Sequence, residues 1–188
     1  MLRRHLLRLA ITGAGFLATG LLRPAAARAL GGTLPALDQP APAFRLAGVV
    51  PADGGKAEAA ELGLEDFRGQ WLVLYFYPRD FTSGCTLEAR GFQRDLARFR
   101  AAGAAVVGVS ADDAESHSEF CGSEGLAFPL LSDPGGRVSA RYGSWIAPFS
   151  QRHTFLIDPQ GVLRQRWVAV RPSLHSAEVL TALEALQV

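Results

Sequence analysis

The sequence predicts one α/β domain built on a central mixed β-sheet with helices on its faces. A chain of 188 residues is near the usual size of a single domain, and its 48% hydrophobic residues suffice for a core. Apolar runs typical of buried strands alternate with amphipathic helical patterns along most of the chain. The last segments predict a hairpin followed by a helix, and this order of elements favours a mixed sheet.

The central strand is the clearest element. Residues 71–77 (WLVLYFY) form an uninterrupted aromatic and β-branched run, which indicates a strand buried on both faces. The next periodicity predicts a helix with one wet face that ends near Gly103. Its expected apolar positions are Leu87, Phe92, Leu96 and Phe99.

The remaining elements follow from shorter patterns. Ser110 is expected to cap a helix that runs to about Gly122, with Asp113 supporting the cap. Residues 52–62 carry a turn signal at 53–55 and are predicted to lie on the surface. Further strands are expected at 44–49, 104–109, 128–131, 153–158 and 162–168, a short helix at 138–142, and a closing helix at 173–186.

The N-terminal segment predicts export. Arg3 and Arg4 are followed by an apolar run at 9–22, and residues 27–29 (ARA) offer a small-x-small cleavage site. The adjacent arginines resemble a twin-arginine signal. An uncleaved anchor is the alternative, but the apolar run is shorter than the roughly 20 residues that span a bilayer. We expect an export signal at 1–29, a linker at 30–42 and a domain at 43–188, so the chain meets the membrane only during export.

Without that signal the chain is mildly acidic. Five arginines and no acids lie before position 30, which leaves 14 basic and 18 acidic side chains, a formal charge of −4. The remaining arginines are scattered rather than clustered. This pattern excludes a basic patch for nucleic acid.

One cysteine follows the loop between the central strand and the next helix. Cys85 is expected in the first turn of that helix, where unpaired N–H groups and the helix macrodipole favour an anion and therefore the reactive thiolate. Thr82 can point its hydroxyl at the sulfur or at whatever the sulfur attacks. The alternative is an ordinary buried cysteine that serves only to pack the core.

The segment around Cys85 matches a known pattern. Residues 77–88 (YPRDFTSGCTLE) resemble the peroxidatic motif of the peroxiredoxins, in particular the bacterioferritin-comigratory or Q-type branch. The resemblance extends in order from about Pro40 to the C-terminus. Its other blocks are 64–69 (LEDFRG), 107–112 (VGVSAD), 115–117 (ESH), 128–133 (FPLLSD) and 154–158 (TFLID).

The resemblance implies a thioredoxin-like fold and a thiol-dependent peroxidase. Such an enzyme reduces hydrogen peroxide and organic hydroperoxides through a sulfenic acid on Cys85, and an external dithiol such as thioredoxin recycles it. No cofactor is expected. No metal is expected either, because Cys85 and Cys121 are the only cysteines and no cluster has ligand spacing.

The resemblance also implies a resolving role for Cys121. The usual resolving position, five residues after the first cysteine, holds Arg90, but a second group of this branch carries its resolving cysteine on the next helix. His117, one helical turn before Cys121, is expected to lower the pKa of the Cys121 thiol. Cys121 as a packed helix residue stays open. We expect the first turn around Cys85 to unravel after oxidation, since disulfide formation needs Cα atoms within about 7 Å.

Three further site residues rest on the resemblance. Arg152 alone reads as a surface arginine, but the family block places it beside the peroxidatic sulfur, where its fork of donors holds the thiolate and the departing oxygen. Pro78 is expected to shield the thiol from water, and Glu88 to orient a nearby cation. Ser83 stands where this branch usually has proline, which implies a looser loop.

Two other classes stay open. A thiol–disulfide oxidoreductase of the same fold requires a Cys-x-x-Cys pair, and Thr82 occupies its first position. A non-enzymatic thioredoxin-fold binder or metal carrier of the cell envelope gives no reason for Thr82 and Arg152. The resemblance implies a monomer, and the export signal implies the periplasm, or the thylakoid lumen in an organism with thylakoids.

Overall fold

The fold is a seven-stranded sheet with helices on both faces. The computed structural model describes residues 28–52 and 57–187, so the predicted export signal lies almost wholly outside the described residues. The sheet has the order β11-β10-β5-β6-β7-β3-β4. Its strands are β3 (Arg45–Pro51), β4 (Ala57–Gly63), β5 (Trp71–Phe76), β6 (Ala104–Ser110), β7 (Leu130–Ser132), β10 (His153–Ile157) and β11 (Leu163–Trp167).

The sheet is mixed, as the sequence predicts. β5, β6 and β7 run parallel, whereas β10 pairs antiparallel with β5 and β3 pairs antiparallel with β7. The parallel strands are joined by two helices, α1 (Ser83–Ala101) and α2 (Ala114–Glu124). Two more helices follow, α3 (Arg137–Arg141) and α4 (His175–Leu186). The central mixed sheet with flanking helices is therefore confirmed.

The alternation of side chains along β5 divides the interior into two cores. Val73 and Tyr75 face the layer of α1, α2 and α4. Leu72, Leu74 and Phe76 face the opposite side, where α3 and a 3-10 turn at Leu64–Phe67 cover the sheet. All five of these strand side chains are buried, which explains why the run reads as continuously apolar.

Two local predictions are wrong, and one strand was not predicted. Residues 57–63, expected on the surface, form β4, a largely exposed edge strand paired with β3 along its whole length. Its small and acidic residues carry no strand signal because an edge strand is half exposed. Asp113, not Ser110, caps α2, and its Oδ1 accepts the Ser116 N–H at 2.9 Å. Leu87 is 48% exposed and lies outside the apolar face of α1.

Two short hairpins and an extended segment complete the chain. β1 (Arg28–Ala29) pairs with β2 (Gly32–Thr33), and β8 (Trp145–Ile146) pairs with β9 (Phe149–Ser150). Residues 34–42 run beside β11, where the Asp38 N–H donates to the Leu163 carbonyl at 2.8 Å. None of the helices in the described part of the chain combines the length and apolar character needed to cross a bilayer.

Candidate active site

Cys85 lies in the first turn of α1, as the sequence predicts. Thr82 is the N-cap residue of this helix, with extended backbone angles, and its carbonyl accepts the Thr86 N–H at 2.9 Å. The Cys85 side chain is only 1% exposed and belongs to the core between α1 and the sheet. The sulfur therefore lies at the positive end of a helix and is largely shielded from bulk water.

Arg152 reaches the sulfur because of the strand order. β10 is the antiparallel neighbour of β5, and His153 pairs with Phe76 at the end of that strand. The residue just before β10 therefore lies beside the segment that follows β5. The Arg152 Nη2 donates to the Cys85 Sγ at 3.4 Å. Gly84 permits this approach, since a Cβ there would lie 3.1 Å from the same Nη2.

Glu88 holds the other side of the guanidinium. Its Oε2 accepts a hydrogen bond from the Arg152 Nη1, and the carboxyl is almost fully buried. Burial raises the pKa of Glu88 to about 7, although the Arg152 charge and hydrogen bond act in the opposite direction. Burial alone would lower the pKa of Arg152, but Glu88 and Cys85 raise it above its ordinary value. The guanidinium is thus a fixed cation next to the sulfur.

Thr82 and Pro78 lie in the loop between β5 and Cys85. Thr82 is exposed, and its Oγ1 donates to the Arg79 carbonyl at 3.1 Å, which leaves the oxygen able to accept another hydrogen bond. Pro78 is half-buried and lines a cavity of about 650 Å³ together with Arg152. The other wall residues are Arg28, Ala29, Leu30, Gln151, His153, Val168, Ala169 and Val170.

Cys121 lies on α2, and the structure holds both cysteines as free thiols. Burial raises the pKa of the Cys121 thiol to about 12, and the nearby Asp80 charge acts in the same direction. The expectation that His117 lowers this pKa is wrong. The imidazole turns instead to Asp80, with its Nδ1 at 2.8 Å from the Asp80 Oδ2.

A buried cluster around Asp80 is the part of the site that sequence reasoning missed. Asp80 is 4% exposed and accepts hydrogen bonds from the Tyr77 hydroxyl, the Ser116 hydroxyl and His117. Both Asp80 and His117 lie within the sequence blocks that resemble the peroxiredoxins. Their contact could not be predicted from a local pattern, because the two residues are 37 positions apart in sequence.

The comparisons with known proteins agree with this geometry. The profile of the AhpC/TSA family matches residues 37–166. The chain is 42% identical over 127 residues to peroxiredoxin Bcp of Xanthomonas campestris pv. campestris, covering 62% of this chain and 78% of that protein. It is 38% identical over 153 residues to a putative peroxiredoxin bcp of Coxiella burnetii, covering 77% of this chain and 96% of the relative.

A solved structure gives the same result. The bacterioferritin comigratory protein of Xanthomonas campestris, described for its alkyl peroxide reduction activity, superposes with a TM-score of 0.69 at 33% identity. The match covers 75% of this chain and 90% of that structure.

Proposed function

The chain belongs to the AhpC/TSA family and, within it, to the Bcp or peroxiredoxin Q branch, so it is a thiol-dependent peroxidase; we propose that Cys85 attacks the peroxide and Cys121 resolves the product. The observation that carries the proposal is the contact between the Cys85 sulfur and the Arg152 guanidinium at the start of α1. A cation and a helix N-terminus both stabilise a thiolate, which is the nucleophilic form.

The first step is oxygen transfer to sulfur. The Cys85 thiolate attacks the terminal oxygen of the hydroperoxide, an S–O bond forms, and the O–O bond breaks. The leaving oxygen takes a proton and departs as water or an alcohol, and the sulfur, oxidised by two electrons, becomes a sulfenic acid. The forked donors of Arg152 stabilise the negative charge that develops on the peroxide oxygens. Glu88 keeps the guanidinium in position, and the Thr82 oxygen accepts the hydrogen of the peroxide.

The second step forms a disulfide. The Cys121 sulfur, as its thiolate, attacks the Cys85 sulfur, an S–S bond forms and the sulfenic oxygen leaves as water. An external dithiol of the thioredoxin type then returns both cysteines to thiols. Cys85 and Cys121 are both buried and lie on different helices, and a disulfide needs their Cα atoms within about 7 Å, so in this proposal the first turn of α1 opens before the sulfurs join.

The same proposal covers substrate, assembly and location. Arg152 and Pro78 line one cavity, which we propose admits the organic group of an alkyl hydroperoxide as well as hydrogen peroxide. Cleavage of residues 1–29 would remove Arg28 and Ala29 from its wall and leave it more open. We propose that the chain is a monomer, and light scattering of the purified protein would measure its mass in solution.

We also propose that residues 1–29 export the chain to the periplasm or lumen. Fractionation of cells that express the Arg3→Lys and Arg4→Lys variants would measure whether export is lost.

Intact mass and free-thiol counts test the chemistry. Reduced protein receives one equivalent of hydrogen peroxide, and the wild type is compared with Cys121→Ser and Cys85→Ser. We expect the wild type to lose two hydrogens and both thiols, Cys121→Ser to gain one oxygen, and Cys85→Ser to remain unchanged. A wild type that stops at the sulfenic acid would contradict the role of Cys121. Oxidation that survives Cys85→Ser would contradict the whole assignment.

A further inference from the structure

The cavity beside Arg152 and Pro78 has one buried histidine in its wall. His153 is 2% exposed, and neither its Nδ1 nor its Nε2 has a hydrogen-bond partner among the described residues. The large majority of buried polar atoms in proteins are hydrogen-bonded, because an unpaired one costs free energy. An unpaired imidazole in a cavity wall is therefore suited to bind a polar group that enters the cavity.

The pairing of β10 determines where this imidazole lies. His153 stands directly opposite Phe76 of β5, so the two side chains share one face of the sheet. Phe76 and Phe155 belong to the core on that face, which is the face away from α1. Arg152, the residue before the strand, reaches the Cys85 sulfur on the α1 side instead. Both neighbours nevertheless line the same cavity at this end of the sheet.

Most of the other residues in the cavity wall are apolar. These residues are Ala29, Leu30, Pro78, Val168, Ala169 and Val170. An apolar cavity with a few polar groups in its wall is the usual form of a small-molecule site. Cleavage of residues 1–29 would remove only Arg28 and Ala29 from this wall, so His153 and residues 168–170 would remain in it.

The imidazole favours an uncharged partner. Burial lowers the pKa of His153, and although the Arg152 backbone acts in the opposite direction, the ring is neutral at neutral pH. A neutral imidazole offers one N–H donor and one nitrogen acceptor, and a hydroxyl group can pair with either. A carboxylate only accepts, and its burial costs much more free energy. The Arg152 guanidinium does not offset that cost, because Glu88 and the Cys85 sulfur already engage it.

We propose that His153 is a specificity-determining residue: its imidazole binds a hydroxyl group on the organic part of a hydroperoxide that reacts at Cys85. The inference rests on the proposed function. Arg152 contacts the Cys85 sulfur and also lines the cavity, so an apolar chain can run from the peroxide group along residues 168–170 to His153. Oxygen transfer to Cys85 then releases the organic part as a diol. The preferred substrate class is an uncharged hydroxyalkyl hydroperoxide.

Hydroperoxides that differ only at the far end of the chain test this assignment. Reduced protein is mixed with linear alkyl hydroperoxides from butyl to octyl and with their ω-hydroxy and ω-carboxy derivatives, and stopped-flow gives the second-order rate of Cys85 oxidation. His153→Phe keeps a ring but removes both nitrogens, whereas His153→Gln keeps a donor and an acceptor. His175→Phe is the matched control, because this buried histidine lies outside the cavity wall and its Nε2 is 2.7 Å from the Thr154 Oγ1.

We expect one ω-hydroxy derivative to react about five- to tenfold faster than the plain alkyl hydroperoxide of the same length, which is roughly the effect of one neutral hydrogen bond. The ω-carboxy derivatives should show no such gain. His153→Phe should abolish the preference, while His153→Gln and His175→Phe retain it.

Hydrogen peroxide is the control substrate, since it has no organic part to reach His153. A hydroxyl preference that survives His153→Phe would overturn the proposal, as would a wild type without that preference or one that prefers the carboxylate. An equal loss of rate with hydrogen peroxide in His153→Phe would also overturn it, because His153 would then act only by supporting Arg152.

Binding of the diol product tests His153 without any peroxide chemistry. The diol is titrated into reduced protein, and NMR follows the imidazole nitrogen signals, with those of His153 assigned from His153→Gln. The diol should shift the His153 signals more than the plain alcohol does and leave His117 and His175 unchanged. Unchanged His153 signals up to the solubility limit of the diol would overturn the site. Protein whose Cys85 resists every peroxide would overturn the proposed function instead, and the titration would still decide whether His153 binds a hydroxyl group.

Discussion

Replacement of Arg152 by Met removes the cation beside the sulfur while keeping an unbranched apolar stem. In the native protein Arg152 donates to the Cys85 Sγ at 3.4 Å and to Glu88 through its other terminal nitrogen. If the peroxide step depends on this contact, the variant must slow sulfenic acid formation without preventing the protein from folding.

The size of the effect follows from the distance. Two unit charges at 3.4 Å interact by roughly 5 kcal/mol at an effective dielectric of about 20, which is an upper bound for the thiolate–guanidinium contact. Loss of one preorganised donor to a developing oxyanion typically costs about 10² to 10³ in rate, or roughly 3–4 kcal/mol. We therefore expect Arg152→Met to oxidise Cys85 about 100-fold to 1,000-fold more slowly.

Stopped-flow mixing of reduced protein with hydrogen peroxide measures that rate. Arg152→Lys keeps the charge but cannot reproduce the planar fork that serves Cys85 and Glu88 together, so it should lie between the wild type and Arg152→Met. Arg90→Met is the control, because Arg90 is an exposed residue of α1 paired with Glu124. A rate for Arg152→Met within about threefold of the wild type would refute the assignment, because loss of an oriented hydrogen-bond donor should slow the step much more than threefold.

Three further predictions concern single side chains. The pKa of Glu88 is about 7 in the native state against 4.5 in its ordinary state, so the native protein binds this proton more tightly than the unfolded chain does. The free energy of unfolding should therefore fall by about 3 kcal/mol as the pH rises from about 4.5 to about 7. Urea unfolding of Glu88→Gln should lack this fall, and parallel pH profiles for variant and wild type would contradict it. The pKa of the Cys121 thiol is about 12 against an ordinary value of 9.0, so at neutral pH its thiolate fraction is about 1,000-fold lower than in the unfolded chain. Iodoacetamide should therefore label Cys121 only after denaturation, which peptide mass spectrometry would measure. Thr82→Val should slow the peroxide step about tenfold or more while Thr82→Ser retains it, and equal stopped-flow rates for the two would exclude a role for the hydroxyl.

The position of Cys85 could be predicted because its signal is local. The apolar run of β5 is buried on both faces, and the cysteine follows it at the start of α1, so strand and helix patterns alone place the sulfur. Arg152 has no such pattern of its own. Its position depends on the antiparallel pairing of β10 with β5, which only the match to a family block supplied.

Other features were missed because their physical cause is a contact between distant segments. Seven residues of β4 acquire strand structure from their pairing with β3 and not from their own side chains. His117 was assigned to Cys121 because both lie on α2, one turn apart. The buried Asp80 carboxylate, supplied by another segment, is the stronger partner for an imidazole and determines where His117 points.

The pairing of β5 with β10 also determines when the cysteine becomes reactive. Cys85 and Arg152 are 67 residues apart in the chain. At a synthesis rate of 5–20 residues per second, a nascent chain carries Cys85 for roughly 3–13 s before its guanidinium partner has been made. Until β10 has joined the sheet, Cys85 lacks that partner and stays less reactive toward peroxide. Peroxidase activity is therefore acquired only after the residues of β10 have been made and have paired with β5.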